Sequence, residues 1–178
     1  IQLPLFPLNV VLFPNARLPL HIFEDRYKSM INDVLADKGE FGVVYCGPKG
    51  DLIAQVGCIA RIGETVKFED GRMNIDTTGT VRFRVKALIK EKPYLVAYVE
   101  TIEDIEVEEK SYLFARELKE TLSHVINLSS HLNDLPLEIG DIWPEDPVTL
   151  SYVVPETLYG DLEAKQNLLE LVSVNERL

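Results

Sequence analysis

The residues best placed to do chemistry are three cations at alternate positions. Arg82, Arg84 and Lys86 interleave with Val81, Phe83 and Val85, so a strand there carries three positive charges on one face. Such a face suits a phosphate or carboxylate, which makes these three the candidate anion-binding residues. Two competing readings are the wet face of an antiparallel strand and a face that meets acidic helices of the same molecule. Covalent chemistry finds no comparable pattern. Ser29, Ser111 and Thr149 have no His–Asp neighbourhood along the chain. His21, His124 and His131 follow neither His-x-x-Glu-His nor His-Glu-x-x-His spacing. Cys46 and Cys58 lie inside apolar runs, without a Cys-x-x-Cys pair, and read as buried free thiols. Glu106, Glu108 and Glu109 suit the opening turns of a helix better than a tuned carboxylate pair. No catalytic residue, cofactor or metal is expected.

A second set of candidates is apolar. A binder of other polypeptides needs exposed apolar side chains. Phe6, Leu12 and Phe13 lie among prolines, and Tyr45 lies near the end of a strand-like run; these four are the candidate polypeptide-binding residues. For each, a place in the core is the alternative.

The elements that must position these residues change character along the chain. Pro4, Pro7, Pro14 and Pro19 each remove a backbone donor and keep residues 3–23 extended. Tyr27, Met30, Ile31, Val34 and Leu35 then recur at helical spacing, predicting a helix over residues 24–37 that Gly39 terminates. From residue 41 to 101 strand follows strand. Asp70-Gly71 marks a hairpin between residues 66–68 and 73–75, and further strands are predicted over 81–89 and 94–99. Many short strands with tight turns predict a closed or nearly closed antiparallel barrel, with one helix inserted early. The class is therefore α+β.

After Thr101 the period turns helical through Val107, Phe114, Leu118, Leu122, Val125 and Ile126. Residues 128–146 have no period; they predict a long connection hiding a short helix and packing Leu135, Ile139, Ile142 and Trp143. Asp146-Pro147 opens a helix reaching about Tyr159, kinked at Pro155 and stopped by Gly160. Asp161 caps another helix, and Ser173-x-x-Glu176 reads as a capping box for a last one.

Charge divides the chain at the same place. Residues 1–103 hold 13 Lys+Arg and 13 Asp+Glu, a net of zero; residues 104–178 hold 5 and 16, a net of −11, which is the whole formal charge. The expected lobes are therefore a β-rich barrel over 1–103 and a helical bundle over 104–178. At 178 residues the chain can bury a core without a disulfide or metal. No apolar run approaches the roughly 20 residues that span a bilayer. Ile1-Gln2-Leu3-Pro4-Leu5 lacks the basic start and long apolar stretch of a signal peptide. A cytoplasmic protein with no membrane partner is expected.

Several ordered motifs resemble one known family. Leu3-Pro4-Leu5-Phe6-Pro7-Leu8, Val11-Leu12-Phe13-Pro14 and Leu18-Pro19-Leu20-His21-Ile22-Phe23-Glu24-Asp25-Arg26-Tyr27 resemble the start of Lon protease substrate-binding domains. Val56-Gly57-Cys58-Ile59-Ala60-Arg61-Ile62 is similar to that family's V-G-x-x-A-x-I strand. Asp70-Gly71-Arg72 and Gly79-Thr80-Val81-Arg82-Phe83 are similar to its D-G-R and G-x-x-R-F motifs. Pro93-Tyr94-Leu95 continues the series. Glu163-Ala164-Lys165-Gln166-Asn167-Leu168-Leu169-Glu170 and Glu176-Arg177-Leu178 resemble its K-Q-x-L-L-E and E-R-L close. Phe23-Glu24-Asp25-Arg26-Tyr27 is closer to stand-alone relatives and to cereblon than to full-length proteases.

The resemblance implies a PUA-like β-barrel lobe with an inserted helix, followed by an all-helical lobe. It implies a non-catalytic, stand-alone protein-binding module of the ATP-dependent protease La-like kind, lacking the ATPase and protease modules. Accordingly no Gly-x-x-x-x-Gly-Lys-[Ser/Thr] occurs, and Gly47-Pro48-Lys49-Gly50 reads as a turn; the Ser–Lys dyad of the family belongs to the protease module. The implied partners are polypeptide clients, unfolded or specific, and a separate protease or chaperone acting in proteolysis. A weak homodimer stays open. The −11 lobe repels phosphates and makes nucleic acid an unfavourable partner. The alternative is a PUA-like nucleic-acid or small-ligand binder using the basic strand.

Overall fold

The proline-rich opening forms two strands, β1 (Gln2–Leu8) and β2 (Arg17–Ile22). The computed structural model describes residues 1–47, 50, 53–91, 93–105, 107–132, 143–157 and 160–178, the side chains of 90 and 130–132 excepted. The packing expected of Leu135, Ile139 and Ile142, the short helix near them, the turn at Pro48-Lys49, Glu106 and the helix end at Tyr159 lie outside the described residues.

The expected early helix forms as α1 (Asp25–Ala36), burying Met30, Ile31 and Val34. Gly39 follows at φ +69° and donates its N–H to the Val34 carbonyl at 2.9 Å, a left-handed closure that Gly makes without a Cβ penalty. Next come β3 (Glu40–Cys46), β4 (Ile53–Lys67), β5 (Met73–Lys90) and β6 (Leu95–Thr101). The six strands form one mixed sheet in the order β2-β5-β4-β3-β1-β6, and β6 also pairs with β5. The ladder through β5, β4, β3, β1 and β6 thus returns to β5, while β2 lies alongside the first half of β5.

Two details differ from the expectation. The β1–β3 pair is parallel, not antiparallel. Parallel neighbours need a long crossover, and β2 with α1 supplies it. The strands read separately over 73–75 and 81–89 are one continuous β5 of 18 residues. Near its middle the register against β4 shifts between Cys58 and Ala60. There Gly79 packs so tightly on the turn after β1 that a Cβ would stand 2.2 Å from the Phe13 carbonyl oxygen. Backbone bonds from Asn15 to Gly79 (2.8 Å) and from Gly79 to Ala16 (2.9 Å) hold that contact.

Strand alternation sorts two cores. One face gathers Leu3, Leu5, Val44, Ile59, Phe83, Ala97 and Val99 from five different strands. The opposite face of β3 and β4 presents Val43, Val56, Cys58 and Ala60 to Met30, Ile31 and Val34 of α1 and to Leu12 and Phe13.

The helical half holds α2 (Glu109–Leu132), α3 (Pro147–Thr157), α4 (Leu162–Glu170) and α5 (Val174–Arg177). The Asp caps are made: Asp146 accepts from the Thr149 N–H at 2.8 Å, and Asp161 from the Glu163 N–H at 3.3 Å. Ser173 stands at the N-cap of α5 but makes no side-chain capping bond, so the predicted box is a position without its hydrogen bond. Ala115, Leu122, Leu150 and Val154 form a third cluster, with Trp143 packed against it. Tyr152 and Leu169 instead join the sheet's core, with Val148 and Leu162 packed against it, so α3 and α4 pack on the strands there. No helix among the described residues is long and apolar enough to cross a membrane.

Candidate functional site

The predicted basic face does not survive as a single surface. Arg82 is 2% exposed. Its guanidinium donates to the carbonyls of Leu169 (2.7 Å) and Leu171 (2.5 Å) and to Asp104 Oδ1 (2.6 Å). Arg177 donates to the same Asp104 oxygen at 2.6 Å, and Tyr152 donates its hydroxyl to Asp104 Oδ2 at 2.9 Å. Burial holds the Arg82 pKa below its ordinary value, and it pushes the Tyr152 phenol well up. Arg82 therefore meets an acid within the molecule, Asp104, which lies in the segment between β6 and α2 and not on a helix. Lys86 stays exposed and pairs with Glu100 at 2.7 Å. Lys86 and, more weakly, Arg84 hold the Glu100 carboxyl below its usual range. One acid thus partly neutralises what remains of the stripe.

The apolar candidates divide as well. Leu12 and Phe13 are core residues, closed to a partner. Phe6 is mostly buried but lines a groove, and Tyr45 is half-buried beside Leu8, its neighbour across the β1–β3 pairing.

That groove is the candidate binding site on the strand half. It has a volume of about 270 Å³ and lies between Phe6, Pro7 and Leu8 of β1, Leu20–Ile22 of β2 and the entry to α1. The last β1–β6 pair is Leu5 with Leu95, so among the described residues Phe6–Leu8 pairs with no strand on that side. Among the described residues β2 pairs with β5 alone. Two strand edges thus contribute to the walls, and a strand edge offers N–H and C=O groups to an extended peptide.

Aromatic rings floor and flank the groove. Phe6 stacks on Tyr27 with centroids 4.0 Å apart, and the Arg26 guanidinium caps Tyr27 at 4.9 Å. Arg26 is held in place by Glu24 at 2.6 Å, the helix-entry ion pair. Hydrogen bonding to Glu24 raises the Arg26 pKa; burial raises that of the Tyr27 phenol against the pull of Arg26. Phe23 stands 60% exposed at the mouth. It stacks near His21 (6.1 Å), which in turn approaches Phe68 beside the Asp70-Gly71 turn (6.4 Å). Arg72 lies over Phe68 at 5.9 Å and is anchored to Asp70, whose carboxyl its backbone N–H and side chain hold low.

Such an arrangement can take apolar and aromatic side chains and bond an extended backbone. His21 Nδ1 lies 2.6 Å from Asn74 Oδ1, a carboxamide partner rather than the carboxylate of a nucleophile-activating triad. No group of three or more His, Cys, Asp or Glu able to hold a metal occurs among the described residues. Phe23, His21 and Phe68 were absent from the sequence candidates. A signal for Phe23 existed: β2 alternates, and Ile22 is turned inward, which leaves His21 and Phe23 facing out.

A mixed sheet that curls back on itself, helices packed on one side and an apolar groove at a strand edge together define an α+β domain. The model of the ATP-dependent protease La (LON) substrate-binding domain matches residues 2–178, and the chain belongs to that family. Among solved structures, a Lon N-terminal domain protein from Xanthomonas campestris is 26% identical with a TM-score of 0.74, covering 99% of this chain and 94% of that one. The N-terminal domain of a Mycobacterium avium complex Lon protease shares the fold at 18% identity, TM-score 0.73 and the same coverage. Curated relatives include the Lon proteases of Anaeromyxobacter dehalogenans, 30% identical, and Flavobacterium johnsoniae, 28% identical. Both matches cover 99% of this chain but only 22% and 23% of those proteins. The chain thus spans under a quarter of the length of these relatives.

Proposed function

We propose that this chain is a non-catalytic substrate-binding module that captures extended, apolar segments of unfolded or specific polypeptides in the β1–β2 groove and presents them to an ATP-dependent protease. The observation that carries the reading is Phe23, 60% exposed at the mouth of a cavity walled by two strand edges. An aromatic side chain of that size is ordinarily buried, and a cluster left out of the core is a contact waiting for a partner. Family membership supports the substrate class. The nucleic-acid alternative loses its main support with Arg82 enclosed. A cytoplasmic setting and a weak homodimer are part of the same proposal.

Peptide arrays probed with the full chain test it, followed by anisotropy titrations with the best peptides. Extended apolar peptides should be enriched over polar ones, and Phe23→Ser with Phe68→Ser should weaken them by about tenfold or more. Equal signal from polar peptides, or indifference to both substitutions, would remove the reading. Turnover of casein by the chain alone, with or without ATP, would contradict a non-catalytic role.

A further inference from the structure

The helical half carries an apolar surface that the described helices do not cover. Ser111, Ala115 and Leu122 of α2 turn inward. On the adjacent flank Phe114, Leu118, Thr121, Val125 and Leu128 recur at helical spacing, a stripe about 21 Å long at 1.5 Å per residue. Val125 is 54% and Leu128 64% exposed. Beside Phe114 and Leu118 a cavity of about 370 Å³ opens, with Asn175 of α5 and Leu178 as its far wall.

The polar groups of that cavity point to one kind of occupant. Glu117 lines it, and Asn175 contributes a side-chain oxygen, Oδ1, buried with no hydrogen-bond partner among the described residues. A buried acceptor left without a donor is costly unless a ligand supplies one. Both groups ask for a hydrogen-bond donor, and Glu117 asks for a positive one. Residues 104–178 carry 16 acids against 5 bases. That net charge, although α2 itself holds three acids and three bases, repels an anionic surface and attracts a cation.

We propose that the α2–α5 groove docks a cationic amphipathic helix of a partner protein. Its apolar side chains lie along Phe114, Val125 and Leu128, and a Lys or Arg donor reaches Glu117 beside Asn175. The site is separate from the β1–β2 groove and takes a different conformation of chain, helical instead of extended.

The test uses the full chain and a labelled Leu/Lys peptide of about 18 residues, long enough to hold a helix against a surface. A Leu/Glu peptide with the same apolar positions and a scrambled Leu/Lys peptide are the comparisons. The helical Leu/Lys peptide should bind, with affinity falling as salt rises. Leu128→Lys should weaken it by about tenfold. Glu117→Lys should narrow its advantage over the Leu/Glu peptide, and Phe23→Ser should leave binding unchanged. Both helical substitutions are at exposed positions, and circular dichroism verifies that the fold is kept. Equal binding of the scrambled peptide to the Phe23→Ser variant, in which the β1–β2 groove is weakened, would mean simple polyanion attraction and would overturn the proposal, as would indifference to Leu128→Lys. A concentration-dependent dimer in sedimentation equilibrium that Leu128→Lys dissolves would overturn it in favour of a second copy. Loss of extended-peptide binding in Phe23→Ser, with Leu/Lys binding intact, separates this proposal from the one above.

Discussion

The guanidinium of Arg82 in β5 lies 2.6 Å from the carboxylate of Asp104, just past the strand half, and this pair joins the two halves of the chain. Arg177 completes the junction on the same oxygen at 2.6 Å. Both arginines belong to motifs through which the sequence resembles its family, and both are spent on structure. So is Gln166, whose amide donates to the Val56 carbonyl at 3.0 Å and ties α4 to β4. These three recognisable residues hold helices on strands.

From that junction comes the first prediction. Asp104→Ala leaves two buried guanidiniums facing each other without their shared acid, and it should cost about 3–5 kcal/mol of unfolding free energy. Arg82→Met removes a buried charge along with its partner's burden and should cost clearly less. Urea unfolding of the two variants gives the ranking, and a reversed order would show that the pair contributes little.

A second prediction concerns the small residues under Phe83. A Cβ on Gly42 would have side chains as its nearest contacts, Phe83, Leu5 and Leu3 at 2.6–2.9 Å, whereas one on Gly79 would meet the Phe13 backbone oxygen. Gly42→Ala should therefore destabilise by about 1–3 kcal/mol and be partly relieved by Phe83→Leu. Gly79→Ala should cost at least as much and gain nothing from Phe83→Leu, because backbone cannot repack. Thermal or urea unfolding of the double variants decides it.

Alkaline pH gives a third. Burial pushes the Cys58 thiol from 9.0 to about 12, and burial with the bond to Asp33 pushes the Tyr94 phenol from 10.0 to about 12. Both groups bind their proton more tightly in the folded state, so stability should hold below pH 9 and fall as pH rises from 9 towards 12. Cys58→Ala should flatten the first part of that fall in a pH series of unfolding free energies. At neutral pH a thiol-reactive disulfide reagent should label half-buried Cys46 and spare Cys58 until the chain unfolds.

The groove offers a fourth, a separation of stability from binding. Phe6→Ala removes a ring buried against Tyr27 and Phe41 and should cost about 3–5 kcal/mol of stability. Phe23→Ser removes an exposed ring and should change unfolding by under about 0.5 kcal/mol while lowering peptide affinity. If Phe23→Ser destabilised the fold as much as Phe6→Ala, the exposed ring would have a packing role and the groove would lose its anchor.

Local signals carried far in this chain. The apolar period of α1, the Asp caps at residues 146 and 161, the Asp70-Gly71 turn with Gly71 at φ +81° and the charge break near residue 103 are properties of neighbouring residues, readable without a third dimension. Alternation likewise predicted Arg82, Arg84 and Lys86 on one face, which packing then divided. What covers a face is not a local property. Only tertiary packing decided that helices bury Arg82 against Asp104 while Lys86 stays in water, that β1 runs parallel to β3, and that Phe13 is enclosed while Phe23 is not. Burial depends on which distant segments come to lie over a residue, and period and propensity describe only a residue's own strand or helix.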